Sequence, residues 1–401
     1  MKKIFVLLVA VLILFCSCSQ SIPADVDLGN ENVSTEPQKP EIPKDTEIKI
    51  SFYGDLLIHD TVFKAAKQAD GSYNFENQFS SIGPYLKRSD AVVGNLETTF
   101  AGADRGYTGY PCFNAPEDMR FYMRDTLGTT LIASANNHCL DRGYSGLVKT
   151  IEYLDDAGIA HTGTYVTEEE SLKTTIIDIK GIKVGFVNYT YGTNGINPPS
   201  DKKFCVNYID EEKIKNDAQK TREEGAEYII CVIHWGNEYQ REPSSTQKKL
   251  AKWIFENTEV DTIVGHHPHV VQPIEEIVYE KDSQEKTGIV AYSLGNFTSD
   301  QTKVDTDWGL VVTIGIKKNG VTGKISMNNY SYFPSYTDKS PRTPYHFRIL
   351  NVFEGIDMYE NRGDKYINAT EYNRLKEIRD ESPDVSRTAF VKLDTEFFNA
   401  Q

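Results

Sequence analysis

Basic charge, paired cysteines and long apolar runs are all scarce in this 401-residue chain. Lys and Arg total 43 against 58 Asp and Glu. Nothing here favours nucleic acid, whose binding rests on neutralising phosphates, and no nucleic-acid partner is expected. Six cysteines occur, two of them, Cys16 and Cys18, close to the start. The remaining four, Cys112, Cys139, Cys205 and Cys231, show no paired metal spacing such as CxxC. An oxidising exterior permits disulfides among them, and reduced, buried cysteines fit equally well. No internal repeat is visible.

The apolar run from Ile4 to Phe15 follows Met1-Lys2-Lys3 and precedes small residues and cysteines, the layout of a secretory signal. At about a dozen residues it falls short of the roughly 20 that a membrane-crossing helix needs. Cys18, after Phe15-Cys16-Ser17, fits the loose pattern for acylation of a bacterial lipoprotein, with Cys16 the competing position. Residues 1–18 are therefore expected to be a lipoprotein signal, and the mature chain is expected outside the cell on a membrane anchor. Removing Lys2 and Lys3 leaves 58 acidic against 41 basic residues. Such a body is repelled by anionic headgroups, so a covalent anchor suits it better than electrostatic attachment. Residues 19–46, with Pro23, Pro37, Pro40 and Pro43 among acidic and small polar residues, have too little apolar surface to order themselves and read as a tether.

From Glu47 to about Tyr330, short apolar and β-branched runs end abruptly in polar clusters. The runs are 48–53, 91–93, 130–133, 184–187, 228–233, 262–264 and 289–292, and they read as buried strands. Helical spacing lies between several of them, over 143–157, 210–224 and 246–257. The face Tyr144-Leu147-Val148-Ile151-Leu154 is the clearest. Residues 308–316 and 323–332 look like strands with no helix between, so the reading is an α/β domain with mixed, partly antiparallel sheets covered by helices. This domain is set at 47–343. Residues 344–401, with a charged helical stretch after Asn368 and a strand-like alternation at Val391, Leu393, Thr395 and Phe397, form a C-terminal appendage expected to pack on it.

The polar clusters carry the chemistry. In order they are Gly54-Asp55, Gly94-Asn95-Leu96-Glu97, Asn136-Asn137-His138 with Asp141, His234-Trp235-Gly236-Asn237-Glu238, Gly265-His266-His267-Pro268-His269 and Ser293-Leu294-Gly295-Asn296-Phe297. Five of the eight histidines sit in three of them. Carboxylates, an Asn-His pair, a lone histidine and a His-x-His make a donor set for two divalent cations. Mixed oxygen and imidazole donors favour Mn, Zn or Fe over Ca. Two such ions about 3.5–4 Å apart can clamp an oxyanion and acidify a water, which is hydrolytic logic.

The ordered motifs GD, GNLE, ANNHxxDxG, HWGxEY, GHHPHVxQP and SLGNF resemble the CapA family of poly-γ-glutamate or capsule biosynthesis, within the calcineurin-like metallophosphoesterase superfamily. The resemblance implies a four-layer αββα sandwich with a two-metal site at the strand ends. It implies Asp55 on the first metal, Glu97 in the bridging position, and Asn137, His234 and His267 on the second metal. His269 returns to the first, and His138 assists a leaving group or holds an oxyanion, with Asp141 orienting its ring. His266 is read as a plain polar loop residue. His59 is a possible extra ligand, and Glu238 and Asn296 are pocket residues that contact substrate, orient ligands or bond the loop backbones. The pattern departs from the superfamily in two places. Leu56 and Leu57 follow Asp55 where Asp-x-His is usual, leaving the first metal a ligand short, and Glu97 replaces an aspartate. The family's association implies an anionic cell-envelope polymer as substrate or ligand, and other capsule-synthesis membrane proteins as partners. A metal-dependent hydrolase or transferase and a non-catalytic metal-binding scaffold both fit.

Overall fold

The computed structural model describes residues 43–340 and 347–395. The expected signal with Cys18, most of the tether and Phe397 lie outside the described residues. Within them the strands, in chain order, are β1 (Thr46–Leu56), β2 (Ala91–Leu96), β3 (Leu131–Ala133), β4 (Ala160–Thr162), β5 (Thr175–Ile179), β6 (Ile182–Thr190), β7 (Tyr228–His234), β8 (Thr262–His266), β9 (Val271–Lys281), β10 (Gln284–Leu294), β11 (Asn296–Thr298), β12 (Trp308–Lys318), β13 (Ile325–Asp338), β14 (Arg348–Asn351) and β15 (Val391–Leu393).

They form two mixed sheets. The first runs β14-β13-β12-β1-β2-β3-β4, with β11 beside β1 and β15 beside β13, and the second runs β5-β6-β7-β8-β10-β9. β1 to β4 are mutually parallel, as are β6, β7, β8 and β10, while β12, β13, β14, β5 and β9 pair antiparallel along these orders and β15 lies parallel to β13.

Alternation along the strands explains the layering. Ile48, Ile50 and Phe52 of β1 share one core with Tyr228, Ile230 and Val232 of β7, so the sheets pack face to face. On the outer face of the first sheet, Val92, Leu96, Ile132 and Val311 meet the helical residues Val62, Phe63, Met123 and Leu154. Beyond the second sheet, Ile229, Cys231 and Ile233 meet Ile214, Ala218, Ile254 and Phe255 of the helices Glu211–Glu223 and Ser245–Asn257. The layers are helix, sheet, sheet, helix. Strands covered on both sides must be apolar on both, which is why the central runs read as nearly continuous.

The helix Gly143–Asp156 turns Leu147, Ile151 and Leu154 inward at helical spacing. Among the described residues no helix is long and apolar enough to cross a membrane. All four described cysteines are free thiols, and Cys139, Cys205 and Cys231 are buried.

The C-terminal segment, expected as an appendage, contributes strands of its own: β14 and β15 both pair with β13. Arg348 at the start of β14 anchors this junction. Its side chain is buried and reaches Asp338 at 2.9 Å and Asp364 at 2.8 Å. Burial leaves the Asp338 carboxyl raised, with the Ser340 backbone N–H and Arg348 opposing the shift. Removing one partner of a buried pair strands the other charge. Arg348→Ala should therefore cost about 3–5 kcal/mol in urea unfolding. A loss within about 1 kcal/mol, the worth of an exposed pair, would contradict this role.

Candidate metal centre

The parallel strands of both sheets end on the same pocket, as open α/β sheets place their sites. Asp55 lies at the end of β1, where its pairing with β2 slips register and β11 joins on the other side through Asn296. Gly54 makes that crowding feasible: a Cβ there would stand 2.2 Å from the Gly295 carbonyl oxygen. Asn95 is in β2 and Glu97 directly after it, Asn136 to His138 follow β3, and His234 and His266 end β7 and β8. Past β8 the chain holds His267 at φ 99° and His269 at φ 58°, a left-handed backbone that is costly for residues bearing a Cβ. This turn around Pro268 brings both imidazoles into the pocket.

The side chains of Asp55, Glu97, Asn137, His234, His267 and His269 converge on this pocket. Asp55 Oδ1 accepts from Asn95 Nδ2 at 2.8 Å and faces His266 Nδ1 at 2.9 Å, while Oδ2 faces His269 Nδ1 at 3.2 Å. His234 Nε2 lies 2.9 Å from Asn137 Oδ1 and 3.5 Å from Glu97 Oε1. His269 Nε2 approaches the same Glu97 oxygen at 3.7 Å. That oxygen is buried without a hydrogen-bond partner, as is His267 Nδ1. Donor atoms of Glu97, His234 and His267 form one group within 4.8 Å of one another, and those of Asp55, Glu97 and His269 form another. Glu97 belongs to both.

The electrostatics show a pocket short of positive charge. Burial, and then the neighbouring Asp55, push the Glu97 carboxyl up to about 8. Burial acts on Asp55 in the same sense, but hydrogen bonds from His266 and His269 hold it well below the carboxylate range. His269 is carried up to about 9 against burial by Glu97 and Asp55. Burial, with His234 and His269 nearby, drives His267 down to about 2, and burial also depresses His234. His234 and His267 are neutral imidazoles beside the idle Glu97 oxygen, as cation ligands must be, whereas His269 would give up its proton on binding an ion. The residues present fit a metal.

Three further expectations concern residues at the margin. Asp141 Oδ2 faces His138 Nδ1 at 2.8 Å and also accepts from the Phe113 backbone N–H at 2.7 Å, so the carboxylate is fixed and fixes the ring in turn. His59 stands apart: its Nδ1 accepts from the Asp300 backbone N–H at 3.2 Å, its ring meets Phe113 edge-on, and it joins neither donor group. Asn296 Oδ1 lies 3.1 Å from His269 Nδ1, and Glu238, exposed at the rim, forms a further donor group with His267 and His269.

Some neighbours escaped the sequence reading. His266, read as a plain polar loop residue, instead ends β8 and takes part by bonding Asp55. Asn95 was visible inside its cluster but not as the amide linking Asp55 to Glu97, at 2.8 and 3.3 Å. Tyr191 and Asn194, after β6, gave no motif signal because no histidine or carboxylate flanks them. Of the aromatics bordering the clusters, Tyr53 and Trp235 are core residues, and Tyr239 is 39% exposed beside His269.

Two mixed sheets between helices, with carboxylates and imidazoles gathered at their strand ends, make a four-layer α/β sandwich with a cation-type donor set. Within that class the chain belongs to the bacterial capsule synthesis protein PGA_cap family, whose model matches residues 49–301. It is 28% identical over 314 residues to the PGA biosynthesis protein CapA of Bacillus subtilis (strain 168), covering 72% of this chain and 74% of that protein. It is also 28% identical over 285 residues to the capsule biosynthesis protein CapA of Bacillus anthracis, covering 68% of this chain and 65% of that one. Among solved structures it is distantly similar to the NAD nucleotidase NadN of Haemophilus influenzae, with a TM-score of 0.46, 13% identity and coverage of 88% of this chain but only 57% of that one. The calcineurin-like phosphoesterase YfkN of Bacillus subtilis gives a TM-score of 0.41 at 14% identity, covering 84% of this chain and 99% of that one. Likeness at this distance transfers no activity.

Asp55→Ala and His267→Ala each remove a donor from one of the two groups while leaving the sheets intact. Both variants should fold but lose bound metal in elemental analysis, with affinity falling by more than the about 10- to 100-fold expected from loss of an outer partner; Asp55→Ala, which also strands buried His266 and His269, should lower the melting temperature as well. Full metal content in either variant would remove that residue from the ligand set.

Proposed function

We propose that this chain is an extracytoplasmic protein, anchored to the membrane through Cys18, that acts as a metal-dependent hydrolase or transferase on an anionic cell-envelope polymer during capsule formation. The observation that carries the catalytic part is the pair of donor groups sharing Glu97. Asp55, Glu97 and His269 would hold one ion, and Glu97, Asn137, His234 and His267 the other, with Mn, Zn or Fe suited to the mixed donors. Ions bound there would supply Lewis acidity toward an oxyanion and water acidified toward neutral pH.

The chain's own groups do the rest. Asp141 accepts from His138 Nδ1, which leaves Nε2 as the atom able to hold or release a proton toward a leaving group. Tyr191, 47% exposed with its ring tilted against His267 at 4.5 Å between centroids, forms part of the pocket mouth where substrate must pass. The family's association with capsule synthesis supports the polymer, poly-γ-glutamate or another capsule component, and membrane partners of the same assembly. A second reading, a metal-holding scaffold that retains polymer without cleaving it, draws on the two leucines after Asp55, which leave the first group with three donors.

The mature domain should be assayed with added Mn²⁺ on generic phosphoesters and on γ-glutamyl polymers. Turnover of either, abolished by His138→Ala with metal retained, is the expected result. A metal-loaded protein inert toward both would favour the scaffold.

A further inference from the structure

The connection after β6, from Tyr191 to Ser200, is pinned at its start. The Tyr191 N–H donates to the His234 carbonyl at 3.0 Å, Thr190 Oγ1 bonds the Gly192 carbonyl at 2.9 Å, and Thr193 Oγ1 meets the Tyr208 hydroxyl at 2.9 Å. From this fixed loop Asn194 points into the pocket. Its Oδ1 accepts from Asn137 Nδ2 at 3.3 Å, and its Nδ2 lies 3.4 Å from His138 Nε2. The same Nδ2 lies 3.5 Å from His138 Nδ1, so Asn194 touches both members of the Asn-His pair.

The contact with Asn137 settles a chemical question. A side-chain amide has an oxygen end and an NH₂ end of nearly equal size, and its neighbours decide which faces where. A cation accepts only the oxygen. In the structure Asn137 Oδ1 faces His234 Nε2 at 2.9 Å, inside the donor cluster, because its NH₂ has an acceptor on the other side. Asn194 Oδ1 is such an acceptor, alongside the Tyr191 hydroxyl, which also hydrogen-bonds the Asn137 side chain.

We infer that Asn194 is a positioning residue that locks the Asn137 amide with its oxygen toward the cation pocket and steadies the His138 ring. The inference rests on the metal-centre reading above. A simpler explanation competes with it: Asn194 at φ 51° and Gly195 at φ 79° form a tight turn, and asparagine is favoured there for its backbone alone. Glycine at position 194 would satisfy the backbone equally well and remove the amide. Aspartate would keep an acceptor for Asn137 and also tolerates the left-handed conformation.

The full chain, stripped of metal, should be titrated with Mn²⁺ and separately with Zn²⁺ by calorimetry in three forms: parent, Asn194→Gly and Asn194→Asp. Asn194→Gly should bind about 10- to 100-fold more weakly, the usual cost of removing a group that orients a ligand. Asn194→Asp should bind at least as tightly as about threefold below the parent, since its carboxylate still accepts from Asn137. Parent-like affinity in Asn194→Gly, or an Asn194→Asp variant as weak as Asn194→Gly, would overturn the positioning role alone. A parent that takes up neither cation would overturn the metal centre, and this inference with it.

Discussion

Burying a carboxylate oxygen with no hydrogen-bond donor costs on the order of several kcal/mol unless a charge compensates it. Glu97 Oε1 is in that position, fully buried and unpartnered, with His234 Nε2 and His269 Nε2 on either side at 3.5 and 3.7 Å. Protonation of Glu97 relieves the cost in the bare protein, and burial together with Asp55 pushes the group that way. Cations on both sides would relieve it more completely. The rest of the site can be understood as what keeps this oxygen idle.

Several local costs serve that end. The left-handed backbones at His267 and His269 each cost about 1–3 kcal/mol, and the packing of β8 against β10 must repay them. Gly265 permits that packing, since a Cβ would come within 2.1 Å of the Tyr292 carbonyl oxygen. Asn95 divides its amide protons between Asp55 and Glu97, holding two carboxylates near one another that would otherwise repel. The two-sheet core makes such concentrated strain tolerable, because Ile50, Phe52, Ile230 and Val232 are close to fully buried and give the strand ends a rigid base.

Much of this was legible in the chain itself. The central strands are covered on both faces, so 228–233 and 262–264 had to be continuous apolar runs, and each was followed by polar donors that had nowhere to go but a site. The helices after Asp210 and Ser244 announced themselves through apolar spacing, and the structure caps them on those residues. Short strands such as β4 and β11 were not readable, because neither carries the unbroken apolar run that marked the equally short β3. The place of β14 and β15 was hidden because their pairing with β13 is set by tertiary contacts. In the site, ligand-type residues stood out by chemistry, whereas His266, Asn95 and Asn194 reach them through hydrogen bonds that only the folded chain defines.

The most direct test of the idle carboxylate is anomalous diffraction at the manganese edge from crystals of the Mn²⁺-loaded protein. The account predicts density on both sides of Glu97, one peak beside Asp55 and His269 and the other beside His234 and His267. Density that avoids Glu97, or a Glu97 side chain turned to a protein donor with no ion beside it, would contradict the account.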